Sequence, residues 1–324
     1  MVLRIFVPLD GSPLAEGALD MAALLARRVK IARPAFEPTI ILFRALDLAL
    51  WLDVDVELVR SRSAEIVKAY LEEQAEPLRQ EGMTVETAVR VGNPVEEILE
   101  QAIARQTDLI VMTTHGRTGL ARWALGSVAE RVARAAVIPV LLIPSNAPAI
   151  QENQLEAARL RFLVPLDGSS GSEAVLPQAI ALARLFGAEL RLLFVLIPRF
   201  EEWEPPGGGH EACGRWDGER RRIRQMERYL MRKVDDARRA GVAARWALGF
   251  GLPGPKIIED AQQHQASLIV MATHSHSDVS RRKLGRTAEE VIHRGKLPIV
   301  LVSGVSSSVE LFQTPPEKAE EAPC

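Results

Sequence analysis

Apart from Arg4, the run Leu3–Pro8 is apolar throughout, the pattern of a strand buried on both faces of a parallel sheet. Ser12 and Pro13 then supply a cap and a first-turn proline, and Leu14, Ala18, Met21, Ala22 and Leu25 fall on one helical face. A second strand is predicted at Thr39–Ala45, a long amphipathic helix at about Ser63–Gln80 and a third strand at Val85–Val91. Asn93-Pro94 caps and starts the next helix, whose Val95, Ile98, Leu99, Ala102 and Ile103 recur at helical spacing. Strands at Leu109–Met112 and Val140–Ile143 flank a last helix, Ser127–Ala136. Strands alternating with helices predict a doubly wound α/β fold with right-handed crossovers.

The same pattern then runs a second time. Residues 4–12 read R-I-F-V-P-L-D-G-S and residues 161–169 read R-F-L-V-P-L-D-G-S. L-I-V-M-T-T-H at 109–115 returns as L-I-V-M-A-T-H at 268–274. Gly92-x-Pro94, Leu125-Gly126 and Ile138-Pro139 recur as Gly251-x-Pro253, Leu284-Gly285 and Leu297-Pro298. Five landmarks in one order identify a duplicated domain-sized unit, because solenoid repeats have periods of about 20–50 residues. The expected organisation is two such domains at residues 1–146 and 159–303, a linker at 147–158 within the Pro/Asn/Ser-containing stretch Pro144–Ala158, and a disordered tail at 304–324. The Pro/Gly-rich segment Phe200–Gly218 reads as a mobile loop.

Composition narrows the chemistry. The 324 residues carry 40 Lys and Arg against 42 Asp and Glu, a balance without an overall drive toward nucleic acid or anionic membrane. Two cysteines, Cys213 and Cys324, cannot form a disulfide framework and fit a reducing, cytoplasmic setting. No stretch approaches the roughly 18 apolar residues of a membrane span, and the N-terminal run has no export-signal pattern.

In an open parallel sheet the ligand crevice lies beyond the carboxyl ends of the strands, where strand order reverses. With the order 3-2-1-4-5, Asp10-Gly11-Ser12 after the first strand faces Thr113–Gly119 after the fourth. Gly116 and Gly119 permit close backbone approach, and a helix beginning at Gly126-Ser127 offers unpaired N–H donors to an anion. Ser127-x-x-Glu130 is also a capping box, so a structural role for the serine stands beside the ligand role.

V-P-L-D-G-S, V-G-N-P-V-E-E-I and V-M-T-T-H-G-R-T-G-L-A-R-W-A-L-G-S-V-A-E-R-V together resemble the universal stress protein family, in a tandem form covering both units. The resemblance implies two five-stranded parallel α/β domains paired within the chain as a pseudo-dimer. Its ATP-binding members carry Gly-x-x-Gly, nine residues, then Gly-Ser or Gly-Thr; here Thr113 replaces the first glycine while Gly116, Gly126 and Ser127 match. The resemblance further implies that Asp10 contacts the adenosine of ATP or AMP and that the backbone near Ala45 faces the adenine. Gly116, Gly126 and Ser127 would hold the phosphates with bridging Mg²⁺, and Pro8, Met112, Thr113, His115 and Gly119 would complete the wall.

The second unit keeps Asp167 but has Ser275 for Gly116 and Arg286 for Ser127, and His274–Leu284 contains no glycine. It reads as a degenerate site, with Thr287-x-x-Glu290 as a displaced capping box. The persistence of Asp167 there points to a partly structural role for both aspartates. The paired His115 and His274 read as loop-stabilising, and His210-x-x-Cys213 lacks the second ligand pair of a zinc site. The basic helix Arg220–Arg239 is interleaved with acids and reads as a solvated face. No Walker A, dinucleotide or nucleophile-elbow motif occurs. The expected function is a nucleotide-dependent stress-response switch with an unidentified protein partner and a possible homodimer. The alternatives are an interaction protein without nucleotide, its domains packed through their fifth strands, and a slow ATPase or self-phosphorylating enzyme.

Overall fold

The computed structural model describes residues 2–47, 56–114, 125–144, 160–197, 211–273 and 284–303, with backbone alone for 56–61 and 211–217. The first unit contains β1 (Val2–Pro8), α1 (Pro13–Ala32), β2 (Glu37–Leu46), α2 (Val56–Gln80), β3 (Thr84–Val91), α3 (Pro94–Ala104), β4 (Leu109–Thr113), α4 (Ser127–Ala135) and β5 (Val140–Ile143). The second contains β6 (Arg161–Leu166), α5 (Ser170–Glu173), α6 (Leu176–Phe186), β7 (Glu189–Leu196), α7 (Glu211–Arg239), β8 (Ala244–Phe250), α8 (Pro253–Gln263), β9 (Leu268–Ala272), α9 (Arg286–Arg294) and β10 (Ile299–Val302). The expected strand order 3-2-1-4-5 is observed, and the units join into one ten-stranded sheet, β3-β2-β1-β4-β5-β10-β9-β6-β7-β8.

All strand pairs are parallel except the central one, where β5 and β10 run antiparallel with Leu141 opposite Val300. Both are four-residue apolar strands, buried at every position, so neither has a polar face to turn to water. The junction therefore extends the core across the duplication. Helix α1 adds to it: it packs on α6, and Arg28 Nε donates to the Phe186 carbonyl at 3.2 Å. This second contact explains why Leu19, Ala23, Leu24 and Ala26 are buried as well as the sheet-facing Ala18 and Ala22. Leu14 and Ile103, read from spacing as core positions, are instead 39% and 59% exposed, at opposite ends of their helices.

Local chemistry sets the helix starts. Ser12 Oγ accepts the Ala15 N–H at 3.2 Å and Asn93 Oδ1 accepts the Val95 N–H at 3.0 Å, each one residue before a first-turn proline. Helix α2 begins at Val56, ahead of the expected start near Ser63, and α7 takes in 211–218, which the glycines and prolines had marked as loop. The linker, the tail and the Pro205–Gly209 run lie outside the described residues. Among the described residues no helix is long and apolar enough to cross a membrane.

Asp108, before β4, accepts the Arg4 N–H at 2.8 Å and ties the start of β1 to the start of β4. Burial raises its carboxyl above the ordinary range, with the Arg4 contact only partly offsetting it. A folded-state value above the unfolded one gives stability that is present in acid and lost as pH rises through the folded value. Asp108→Asn keeps an accepting oxygen and removes the charge. Its urea midpoint is expected to rise at pH 7 and to match wild type at pH 3; an unchanged midpoint at pH 7 would contradict the assignment.

Candidate functional site

β1 and β4 are neighbours, so their carboxyl ends open side by side at the point where strand order reverses. Past β4, the Thr114 N–H donates to the Ile143 carbonyl at 2.9 Å and the Gly126 N–H returns to the Thr114 carbonyl at 2.7 Å. These bonds bring Gly126 back to Thr114 and fix the start of α4 beside the sheet edge. His115, Gly116, Gly119 and Trp123 lie outside the described residues. The second unit builds the same frame, with the Thr273 N–H on the Val302 carbonyl at 3.0 Å and the Gly285 N–H on the Thr273 carbonyl at 2.8 Å.

Gly126, rather than Ser127, is the N-cap of α4, and no side chain caps that end. Glu130 turns to Arg134 at 3.3 Å instead of back to the cap, so the capping-box reading of Ser127 does not hold. Ser127 is the first helical residue and is exposed. The first-turn donors thus face the edge with a hydroxyl among them, an arrangement suited to an anion. In the second unit Gly285 is the cap, which displaces the expected Thr287 cap, and the exposed Arg286 takes the place of Ser127.

Thr113, the departure from the glycine pattern, is buried, and its Cγ2 lies 3.9 Å from where a Cβ on Gly17 would stand. Its methyl is therefore turned toward α1, and β-strand alternation puts it on the face opposite Met112. Pro8 and Met112 are buried beneath the cleft, and Ala45 is partly buried on the Met112 side of the sheet.

Asp10 sits at the mouth. Its Oδ1 accepts the Ser12 N–H at 2.9 Å and the Ser12 hydroxyl at 2.6 Å, while Ser12 caps α1. Asp167 repeats the turn, accepting the Ser169 N–H at 2.9 Å. Burial works to raise Asp167, yet the hydrogen bonds of Ser169 and Ser172 hold its carboxyl below the ordinary range. Gly11, at φ +79°, is required twice: a side chain there would be strained, and its Cβ would meet the Arg44 guanidinium.

Arg44 and Tyr70 escaped the sequence reading. The Arg44 guanidinium lies over the Tyr70 ring, 5.3 Å from its centroid, and the Tyr70 hydroxyl donates to Glu16 at 2.9 Å. The second unit mirrors this with Tyr229, packed edge-on to Phe194, and Lys233, which pairs with Glu173 at 2.7 Å and stands 5.5 Å from the ring centre. The signal was present: these are the only two tyrosines in the chain, and they occupy equivalent positions. Burial first, and then carboxylates (Glu16 at Tyr70, Glu173 at Tyr229), push both phenols well above the ordinary value of 10.0. At about pH 11 a free tyrosine is roughly nine-tenths ionised. Neither phenol is expected to ionise there in the folded protein, as read from absorbance near 295 nm; a normal titration of either would contradict this packing. Because the Asp–Glu–Tyr set occurs in both units, it serves first as a scaffold for the turn after the first strand.

Among the described residues no group of three or more His, Cys, Asp or Glu is placed to hold a metal ion. The family model described as the universal stress protein family matches residues 1–144 and again 159–303. A universal stress protein of Methanocaldococcus jannaschii is 31% identical over 144 residues, 43% of this chain and 81% of that relative. One from Mycobacterium tuberculosis is 26% identical over 219 residues, 68% of this chain and 69% of the relative. The solved structure of a universal stress protein from Archaeoglobus fulgidus is similar in fold, with a TM-score of 0.63 at 22% identity, over 93% of this chain and 98% of that one. With the family matched twice and the sheet duplicated about a central antiparallel pair, the chain belongs to the universal stress protein family as a tandem member.

Proposed function

We propose that the first domain binds ATP with Mg²⁺ at the carboxyl edge of its sheet, and that the chain acts as a nucleotide-dependent stress-response switch rather than a fast enzyme. One observation carries this reading: α4 starts at a glycine without a side-chain cap, anchored by backbone hydrogen bonds beside the β1–β4 switch point. Such a helix start supplies donors and a partial positive charge to phosphate oxygens. Gly116, Gly126 and Ser127 would hold the phosphates, Asp10 the ribose and the backbone at Ala45 the base. Mg²⁺, when bound, would neutralise charge between the phosphates.

The inward turn of Thr113 supports the reading, since its side chain does not point toward the Met112 face of the cleft. In the second domain, Arg286 at the helix start and the glycine-free segment 274–284 favour a site that has lost phosphate. We therefore assign one nucleotide per chain. The repeated Asp–Glu–Tyr scaffold favours a second reading for Asp10 alone, that of a turn-forming residue in both domains. Mass spectrometry of nucleotide released from the purified protein tests the proposal. Adenine nucleotide near one equivalent, or saturable Mg-ATP binding by the stripped protein, is expected. Absence of both would leave an interaction module that works without nucleotide.

A further inference from the structure

The outer strand of the first domain differs from its counterpart in a way the nucleotide cleft does not use. β3 ends the sheet on one side and β8 on the other. The Gly92 N–H donates to the Leu46 carbonyl at 3.0 Å, which sets the even-numbered residues of β3 toward β2 and the odd-numbered ones outward. Two outward carbonyls are held by arginines: Val85 by Arg79 at 3.1 Å and Val89 by Arg90 at 3.2 Å. Thr87 lies between them with its N–H and C=O facing the open edge.

A groove of about 340 Å³ runs along this edge, lined by Thr87–Arg90, by Lys68 of α2 and by Arg105 after α3. Lys68 flanks it on the face where Thr87 bonds Glu72 of α2 at 2.6 Å. Arg105 flanks the other face, where it pairs with Glu86 at 3.1 Å. Glu65 is the one acid in the lining. Lys68 and Arg90 make no ion pair among the described residues, and Arg105 Nε is buried without an acceptor.

The second domain has filled the same place and rearranged its charges, with Arg224 at Glu65 and Arg245 at Glu86. Helix register, fixed by Tyr70 with Tyr229 and by Arg79 with Arg238, sets Ile223 at Ala64, Glu227 at Lys68 and Trp246 at Thr87. Ile223 and Trp246 pack against the core. Gly249 stands at Arg90 and His264 at Arg105. Arg238 still holds the Ala244 carbonyl at 2.9 Å, so the edge cap is retained while the basic groove is not.

We infer that the β3 edge docks an extended acidic segment of a partner protein, added beside β3 as an eleventh strand. An added strand sends alternate side chains to opposite faces, so consecutive acids would meet Lys68 on one face and Arg90 and Arg105 on the other. The arginine caps guard the edge against indiscriminate pairing, and Arg90 exchanges its bond to Val89 for a carboxylate when the partner arrives. This surface adjoins the proposed nucleotide site only at Arg90, which lies in register with Ala45, while Lys68 and Arg105 stand away from it.

Full-length protein screened against an array of randomised octapeptides tests the inference. Retained peptides are expected to be rich in Asp and Glu, and binding one of them should slow amide exchange at Thr87. Lys68→Glu with Arg105→Glu is expected to weaken that peptide at least about tenfold and to leave Mg-ATP binding unchanged. Thr87→Pro, which removes the outward N–H, is expected to do the same to the peptide. Retention without acidic enrichment, or undiminished binding to the double variant, overturns the inference. So does saturable binding of inorganic phosphate at these residues with no peptide retained, which would make the groove a small-anion site.

Discussion

Gly126→Trp is expected to weaken Mg-ATP binding at least about 100-fold, close to 2.7 kcal/mol. Gly126 has φ −59° and ψ 143°, a backbone that any residue adopts, so the substitution brings bulk without strain. Its position is partly exposed, and the cost to the unliganded fold should stay within about 0.5 kcal/mol. Wild-type protein should gain about 2.7 kcal/mol of apparent stability at ligand 100-fold above Kd, and the variant almost none. Titration calorimetry with thermal unfolding separates the two effects. Equal affinity in both proteins would remove α4 from the site.

Asp260→Ala is expected to destabilise the second domain by about 3 kcal/mol, the largest loss on folding. Arg191 of β7 grips Asp260 of α8 through two hydrogen bonds, Nε at 2.7 Å and Nη2 at 2.9 Å, with the carboxylate side chain only 7% exposed. Alanine leaves the guanidinium without its partner in a largely dry place, and such a loss exceeds what the intact pair contributes. The first domain holds Ile41 and Gln101 at the same two positions. Transplanting that solution, Arg191→Ile with Asp260→Gln, is expected to recover most of the lost stability. Chemical denaturation of the three proteins decides it; a single substitution costing under about 0.5 kcal/mol would contradict the pair's role.

Much of this architecture was legible because the duplication let each unit check the other. V-P-L-D-G-S and L-I-V-M-x-T-H, repeated in order, mark β1, β4, β6 and β9, and parallel strands buried on both faces read as continuous apolar runs. Helix periodicity was less secure where a helix meets an end or a second partner. Leu14 and Ile103 kept the spacing of core residues while facing water, and α1 buries extra residues because α6 of the other unit lies against it. The start of α2 follows Asp55, a residue type that commonly caps helices, which the expected start near Ser63 passed over. The Pro/Gly-rich reading of Phe200–Gly218 as a loop ran on past residue 210, where a long basic helix has already begun.

The places of Asp10 and Gly126 at the sheet edge were readable from motif and position, whereas the identity of the cap was not. Ser127-x-x-Glu130 fits a capping box in pattern, but the hydrogen bond from the Gly126 N–H to Thr114 fixes the helix one residue earlier. Arg44 and Tyr70 could not be placed from local spacing, since the strand end and the middle of α2 meet only through the fold. Comparing the two units residue by residue recovers them, as it recovers the basic edge at β3.

The most direct test of the central claim is calorimetric titration of nucleotide-free, full-length protein with Mg-ATP. One equivalent per chain, abolished by Gly126→Trp and unaffected by Arg286→Ala, is the predicted result. No saturable heat, or two equivalents with one lost on Arg286→Ala, would contradict a single polyphosphate cradle in the first domain.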